Sequence, residues 1–289
     1  MKRFLIMLCI FAVTVVSRAS PERLTEPPDI TTAVVQKPTA APVTQTETVN
    51  NAGTSSPQES PPVTTEIPVP PQTELPEKNP REDVLICLDA GHGLIDPGAI
   101  GSLNGTEYYE KTINLAVALR TKQALEARGY RVLMIRTEDT SLLGGADRGA
   151  SYKTADEAVA RRQLAKQMGV DLYISVHCNA YAGSTRAYGP LVFYNSSSAT
   201  TYRALSLART FSSEFTKMSA GYAGAKACEV REGNSYIVLR ELTMPALLLE
   251  LGFMTDEGDL SLLIRKDWQE DCAAAIANGV EEAFLNGWI

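Results

Sequence analysis

Histidine is nearly absent from this chain of 289 residues, which contains only His92 and His177. A long basic stripe is also missing, and the formal net charge is -7. A nucleic-acid-binding surface needs such a stripe, so we expect no nucleic-acid partner. The sequence has no internal repeat, which excludes a repeat architecture. Any histidine chemistry in this acidic chain therefore depends on two residues.

The sequence also has no apolar run of the ~20 residues that a comfortable transmembrane helix needs. Near the amino terminus, Lys2 and Arg3 precede an apolar run at residues 4–16, and a small-residue cleavage site follows at Ala19. This layout is that of a secretory signal peptide, so residues 1–19 are predicted to direct export. An uncleaved anchor is the alternative, and it is the only membrane contact that we expect.

Aromatic residues are missing from residues 20–81, where 13 of the 16 prolines lie among Thr, Ser, Glu, Gln and Val. Such a segment cannot bury enough apolar surface to offset the entropy that ordering would cost. We therefore predict a disordered linker, which its prolines keep extended. The composition changes at residue 82, and residues 82–289 are long enough for one domain with a sizeable core.

Apolar runs alternate with sequences of helical period through residues 82–289, which is typical of βαβ units. Strands are predicted in VLICL, YRVLMIRT, LYISVH, GPLVFYN, SYIVLRE and PALLLELGF, with helices between and after them. Thr154 and Glu157 have the spacing of a capping box at the start of one helix. The predicted fold class is α/β, with a single, mainly parallel, twisted sheet and helices on both faces.

Three predicted strands end in a side chain that can bind a metal or transfer a proton, namely His92, His177 and Glu250. Ligands bind at the carboxyl edge of open α/β sheets, so these side chains are expected to converge. Two imidazoles and a carboxylate suit a catalytic zinc site that keeps one position for water. Because Glu250 stands between leucines, it is also a candidate acid–base group with a raised pKa. The candidates for an acidic ligand are Asp89, Asp96, Glu107 and Glu110.

Four blocks of the sequence resemble, in order, a known family: LDAGHGLIDPGAIG, YYEKTINLAVAL, DLYISVHCNA and MPALLLELGFMTDEGD. They cover most of residues 84–286 and are similar to the zinc-dependent N-acetylmuramoyl-L-alanine amidases of the Amidase_3 type. The resemblance implies that His92, Glu110 and His177 hold Zn2+. It also implies that Glu250 is the catalytic glutamate.

Two further residues are expected to support this site. Arg161 matches an arginine of the family, and we give it a structural role. Asp89 either orients a metal ligand or caps the loop, and the residues alone leave both interpretations open. The segment 140–153 is longer than in the commonest form of the family, and it either shapes the substrate groove or is a surface insertion.

The resemblance implies a secreted, cell-wall-associated catalytic domain at residues 82–289. Its substrate would be peptidoglycan, in which it would hydrolyse the amide bond between N-acetylmuramic acid and L-alanine of the peptide stem. We expect a monomer whose partner is the muropeptide. Two alternatives stay open: a catalytically silent module that binds muropeptides, and another zinc hydrolase such as a carboxypeptidase. The presence of all four implied residues favours the enzyme over the silent module.

Overall fold

The computed structural model of the protein describes residues 79–144, 153–183 and 186–289. Its strands are β1 (Leu85–Ala90), β2 (Ile100–Leu103), β3 (Thr106–Tyr109), β4 (Arg131–Met134), β5 (Leu172–Asn179), β6 (Leu191–Tyr194), β7 (Glu229–Glu232) and β8 (Ala246–Phe253). Its helices are α1 (Glu110–Glu126), α2 (Thr154–Gln167), α3 (Thr201–Ser219), α4 (Glu257–Leu263) and α5 (Lys266–Leu285). The predicted signal peptide, almost all of the predicted linker and residues 145–152 of the long segment lie outside the described residues.

Six of these strands form one sheet in the order β4-β1-β5-β8-β6-β7. The strands β4, β1, β5 and β8 are parallel to one another. The strand β6 pairs antiparallel with β8, and β7 continues parallel to β6. The predicted mainly parallel sheet is therefore confirmed, with one reversal of direction between β8 and β6.

The two faces of the sheet are covered by different helices. In β5, Leu172, Ile174 and Val176 belong to an apolar cluster with residues of α1, α3 and α5. Tyr173, from the opposite face, packs instead in a cluster with Ala165 of α2. Successive side chains of a strand point to opposite faces, so a central strand that is buried on both faces needs the continuous apolar sequence seen here.

The sequence SYIVLRE was predicted as a strand, and this is wrong. It contains a 3-10 turn, Ile237–Leu239, in which Leu239 donates its N–H to the carbonyl of Tyr236. Val238 and Leu239 are buried beneath the face of the sheet that α2 covers, so apolar residues here mark a buried turn. The edge strand next to β6 is β7 instead, whose sequence EVRE has no apolar run.

The capping box predicted at Thr154 and Glu157 is also wrong, although the helix is present. Lys153 is the N-cap of α2 and makes no side-chain capping bond. The carboxylate of Glu157 instead accepts hydrogen bonds from the Ser141 hydroxyl and from the backbone N–H groups of Leu142 and Leu143. Glu157, to which the local spacing had assigned a capping role, therefore makes a tertiary contact with residues 141–143 instead.

A hairpin made of β2 and β3 was not predicted from the sequence. Its turn is Asn104-Gly105, and both residues have positive φ, 52° and 79°. This is the Asn-Gly signature of a tight hairpin turn, so the local signal was present. The hairpin ends at Tyr109, and the next residue, Glu110, begins α1.

The four cysteines of the described residues are free and buried: Cys87, Cys178, Cys228 and Cys272. Burial raises the pKa of each thiol, and that of Cys228 to about 12. These thiols are therefore protonated at neutral pH and serve as small core residues. Within the same part of the chain, no helix combines the length and the apolar character that crossing a bilayer requires.

Candidate metal centre

The carboxyl ends of three neighbouring parallel strands carry the predicted side chains. His92 follows β1, His177 lies near the end of β5, and Glu250 lies in β8. His177 and Glu250 are direct partners in the β5–β8 register. Their Cα atoms are therefore neighbours, and their side chains project from the same face of the sheet. The order β1-β5-β8 thus places the three ends next to one another at a single edge.

Glu110 joins the two histidines. Its Oε1 atom lies 2.9 Å from Nδ1 of His177 and 3.2 Å from Nε2 of His92. One possible ligand atom from each of these three residues lies within 4.8 Å of the other two. Among the described residues this is the group of side chains that could hold a metal ion.

The carboxylate of Glu110 is fixed by the first turn of α1 and by the backbone around it. Its Oε1 atom accepts from the N–H of Cys178 at 3.0 Å and from the side-chain amide of Asn114 at 3.1 Å. Its Oε2 atom accepts from the N–H of Ala99 at 2.8 Å. Glu110 is only 3 % exposed. Sequence reasoning missed Asn114, which is fully buried in the structure. Its spacing of four residues from Glu110, one helical turn, was the only signal in the sequence.

Opposite charges dominate the electrostatics of this cluster. Burial alone would raise the pKa of Glu110, but hydrogen bonds from His177 and His92 hold it well below its usual range. Burial would lower the pKa of His92, but the carboxylates of Asp96 and Glu110 raise it to about 10. The carboxylates of this cluster therefore stabilise a positive charge on, or bound by, its imidazoles.

Glu250 is buried beside this cluster, and no lysine or arginine of the described ranges forms an ion pair with it. Its Oε2 atom has no hydrogen-bond partner among the described residues, and the residue is 6 % exposed. Burial, together with the nearby Glu110 carboxylate, raises its pKa well above the usual range. A buried polar atom without a partner is costly, so such an atom calls for a functional explanation.

The other acidic candidates lie in different places. Asp96 contacts the His92 ring, with its Oδ2 atom 2.8 Å from Nδ1. Glu107 lies on β3 and is exposed, and the hydroxyl of Tyr109 donates to it. Asp89 is fully buried and does not touch either histidine through the hydrogen bonds of the described residues.

A profile of the N-acetylmuramoyl-L-alanine amidase family matches residues 86–282. The chain belongs to this family. The sequence-based predictions of the family and of an amide hydrolase are thereby confirmed, and the sheet described above confirms the predicted fold class.

Known relatives of this amidase come from several bacteria. The germination-specific N-acetylmuramoyl-L-alanine amidase of Bacillus subtilis is 29% identical over 205 residues, which are 71% of this chain and 81% of that protein. The sporulation-specific amidase of the same organism is 31% identical over 202 residues, covering 70% and 68%. The structure of the CwlD amidase from Clostridioides difficile, in complex with the GerS lipoprotein, matches with a TM-score of 0.60 and 28% identity over 70% of this chain and 98% of that one.

The turn that carries His92 in this amidase is held by two buried arginines. His92 itself has a positive φ of 63°, a conformation that L-residues adopt at a cost. Arg136 donates to the carbonyls of Ala90 at 2.8 Å and Gly91 at 3.0 Å. Arg161 donates to the carbonyls of Ala90 at 2.8 Å and His92 at 2.7 Å. These bonds stabilise the strained turn, and sequence reasoning identified only Arg161.

Asp89 supports the candidate site through Arg161 rather than by contact with either histidine. Its Oδ1 atom accepts from Nη1 of Arg161 at 2.7 Å. Its Oδ2 atom accepts from the hydroxyls of Tyr173 and Ser175. Burial would raise the pKa of Asp89, but Arg161 and Tyr173 lower it, so the carboxylate is ionised. Asp89 and Arg161 thus form a buried ion pair beneath the histidines.

We predict that Gly91→Ala weakens the centre because of a steric conflict. A Cβ atom at Gly91 would lie 2.2 Å from Cε1 and Nε2 of His177, so the imidazole must move. The expected loss of folding stability is about 1–3 kcal/mol, as for other overpacked sites. Zinc affinity and the urea midpoint are the measurements. Gly221→Ala is the control, since its Cβ would meet only the Met218 carbonyl at 3.3 Å. A Gly91→Ala variant with wild-type zinc affinity would contradict the close approach of Gly91 to the His177 ring.

Proposed function

We propose that this chain is a zinc-dependent, extracytoplasmic N-acetylmuramoyl-L-alanine amidase. In this proposal His92, Glu110 and His177 hold the zinc ion, and Glu250 is the general base and acid. The observation that carries the proposal is the meeting of three ligand atoms within 4.8 Å, on the strand edge where Glu250 is the register partner of His177. Membership of the amidase family supports the same reaction.

The residues fit a zinc ion by their chemistry. Two imidazoles and one carboxylate are a ligand set found at catalytic zinc sites. No lysine or arginine of the described residues hydrogen-bonds Glu110. Its other donors, from Ala99, Asn114 and Cys178, are neutral, so only the two imidazoles and a cation that they share can balance its buried charge. Both histidines of the chain are used in this set.

The proposed reaction is the hydrolysis of the amide between the lactyl group of N-acetylmuramic acid and L-alanine. When bound, zinc lowers the pKa of a water molecule and polarises the scissile carbonyl. The unpartnered Oε2 atom of Glu250 is the group available to accept the proton of that water. Its raised pKa favours later delivery of the proton to the nitrogen of the leaving L-alanine.

We predict that removing the metal abolishes hydrolysis of purified peptidoglycan. Incubation with a chelator should lower the rate by on the order of 100-fold or more, since a metal supplies several kcal/mol of transition-state stabilisation. Added Zn2+ should restore the rate. Mass spectrometry of the products is the measurement, because an amidase frees intact stem peptides that begin with L-alanine.

The same product analysis separates the two alternatives. A silent muropeptide-binding module would bind the wall and release nothing, and a carboxypeptidase would release a carboxy-terminal amino acid from a stem that stays attached. Activity that a chelator leaves unchanged would contradict the zinc mechanism but not the amidase reaction. Release of single amino acids would contradict the amidase reaction itself.

Export and attachment belong to the same proposal. Residues 1–19 would direct the chain across the membrane or anchor it there, and residues 20–81 would act as a linker to the catalytic domain, which acts as a monomer on the wall. The germination-specific and sporulation-specific relatives favour a specialised wall, such as that of a spore, as one substrate. Comparison of purified vegetative and spore peptidoglycan as substrates tests this point.

A further inference from the structure

We propose that Asp96 is a positioning residue, which fixes the His92 ring so that Nε2 is its metal-binding atom. This inference rests on the proposed zinc centre and deepens it. It assigns a role to Asp96, an acid of the block LDAGHGLIDPG that has no part in the proposed mechanism. The argument depends on geometry at both nitrogens of the ring.

The contact between Asp96 and His92 is short and sheltered. Oδ2 of Asp96 lies 2.8 Å from Nδ1 of His92, and the two side chains are 13 % and 18 % exposed. An ionised carboxylate can only accept a hydrogen bond, so Nδ1 must carry a proton. In a neutral imidazole, the lone pair that remains for a metal is then on Nε2. Nε2 is the atom that faces Oε1 of Glu110, at 3.2 Å.

Asp96 is itself held in place by the turn. Its backbone N–H and carbonyl form a reciprocal pair of hydrogen bonds with Gly93, both 3.0 Å long. Its second carboxylate oxygen, Oδ1, accepts from the N–H of Gly98 at 3.1 Å. The Asp96 carboxylate is therefore held in a fixed position, and its Oδ2 atom is free to accept a hydrogen bond from the His92 ring. A partner fixed in this way limits the rotation of a ligand that sits on a strained turn, since His92 has φ of 63°.

The two histidines of the centre are not equivalent in this arrangement. His177 presents Nδ1 to Glu110 at 2.9 Å, and no carboxylate of the described residues hydrogen-bonds its other nitrogen. His92 presents Nε2 and has Asp96 behind it. A carboxylate behind a ligating imidazole fixes its tautomer and orientation and raises its basicity, and losing it typically costs 10–100-fold in metal affinity. Asp96 thus sets the tautomer, the orientation and the basicity of His92 as a metal ligand.

Zinc affinity of the full chain tests this inference independently of activity. The metal alone is the probe, titrated in competition with a chromophoric chelator. Asp96→Ala should weaken zinc binding about 10–100-fold. Asp96→Asn keeps an oxygen that can accept from Nδ1, so its loss should stay below about tenfold. Asp139→Ala is the matched control with an expected change within about twofold, because Asp139 supports the same turn through Leu94 and Lys111 without touching a ligand.

A spectroscopic signature gives a second readout that a merely structural role would not move. The chain has only two histidines, so labelling with 15N-histidine gives two imidazole rings to assign. In the zinc-loaded wild type, His92 should carry its proton on Nδ1 and the metal on Nε2, and His177 should show the reverse. In Asp96→Asn the Nδ1 proton of His92 should exchange faster with solvent.

The outcomes separate this inference from the function on which it rests. Zinc affinity of Asp96→Ala equal to that of the control, or binding of His92 through Nδ1, would overturn the role of Asp96 alone. A wild type that binds no zinc would overturn the proposed centre, and this inference would fall with it. If Asp96→Ala does not fold, the Asp96→Asn titration and the wild-type spectrum still decide.

Discussion

Glu250→Gln is expected to lower the rate of peptidoglycan hydrolysis by about 10²–10⁴-fold, the range that general acid–base groups contribute. The amide cannot accept the proton of the attacking water. It has nearly the same size as the carboxylic acid, so the packing around β8 should be kept. Zinc binding should also be kept, because Glu250 is not one of the three residues whose ligand atoms converge. The measurements are stem-peptide release under saturating substrate and zinc content after dialysis.

A second buried acid provides the matched control for this substitution. Asp259 is 6 % exposed, and burial raises its pKa, as it does for Glu250. Its Oδ2 atom accepts both from the N–H of Gly189 and from that of Phe253, and one amide oxygen in Asp259→Asn can keep both bonds. This variant should retain near-wild-type activity. Near-wild-type hydrolysis by Glu250→Gln would instead remove Glu250 from the mechanism and direct attention to another proton acceptor.

The sequence predicted the central strands and the convergence of their ends because both depend on strong local patterns. Apolar runs such as VLICL and PALLLEL can be buried on both faces only in the middle of a sheet. A histidine or glutamate at the end of such a run can be assigned to the carboxyl edge without knowing the packing. The strand β6 was predicted from GPLVFYN, but its antiparallel direction was not, because direction depends on where the chain returns to the sheet. The edge strand β7 was not predicted, because EVRE is half-exposed and has no apolar run.

The residues that escaped prediction are those whose partners are backbone atoms or distant side chains. Arg136 donates to the carbonyls of Ala90, Gly91 and Lys111, which no sequence spacing relates to it. Burial, together with the neighbouring charge of Arg161, lowers the pKa of Arg136 to about 10. In the sequence, however, Arg136 looks like an ordinary exposed cation at the end of a strand. Asp89 and Asp96 were both visible as acids near His92, but only the fold distinguishes the one that pairs with Arg161 from the one that holds the imidazole.

The second large effect is expected for Arg161→Met, which should lower the free energy of unfolding by about 3–5 kcal/mol. The side chain of Arg161 is 4 % exposed and that of Asp89 is 1 % exposed, so the substitution leaves the buried Asp89 carboxylate without its cation. The buried carboxylate of Glu157 loses its ion pair with Arg161 as well. It also removes the donors to the carbonyls of Ala90 and His92. Domains of this kind are stable by only about 5–15 kcal/mol, so the loss is a large fraction of the total. Urea denaturation of the zinc-free protein is the measurement.

Two companion variants separate the lost ion pair from general damage to α2. Arg162→Met changes the next residue, whose ionic partner Glu241 is 70 % exposed, so its cost should stay below about 1 kcal/mol. Asp89→Asn combined with Arg161→Met removes both charges and should recover about 0.5–3 kcal/mol relative to Arg161→Met alone. A double variant that is less stable than the single one would show that the hydrogen bonds to the His92 turn, and not the unpaired carboxylate, carry the effect. In either case zinc affinity should fall, because the strained turn that presents His92 loses one of its two supporting arginines.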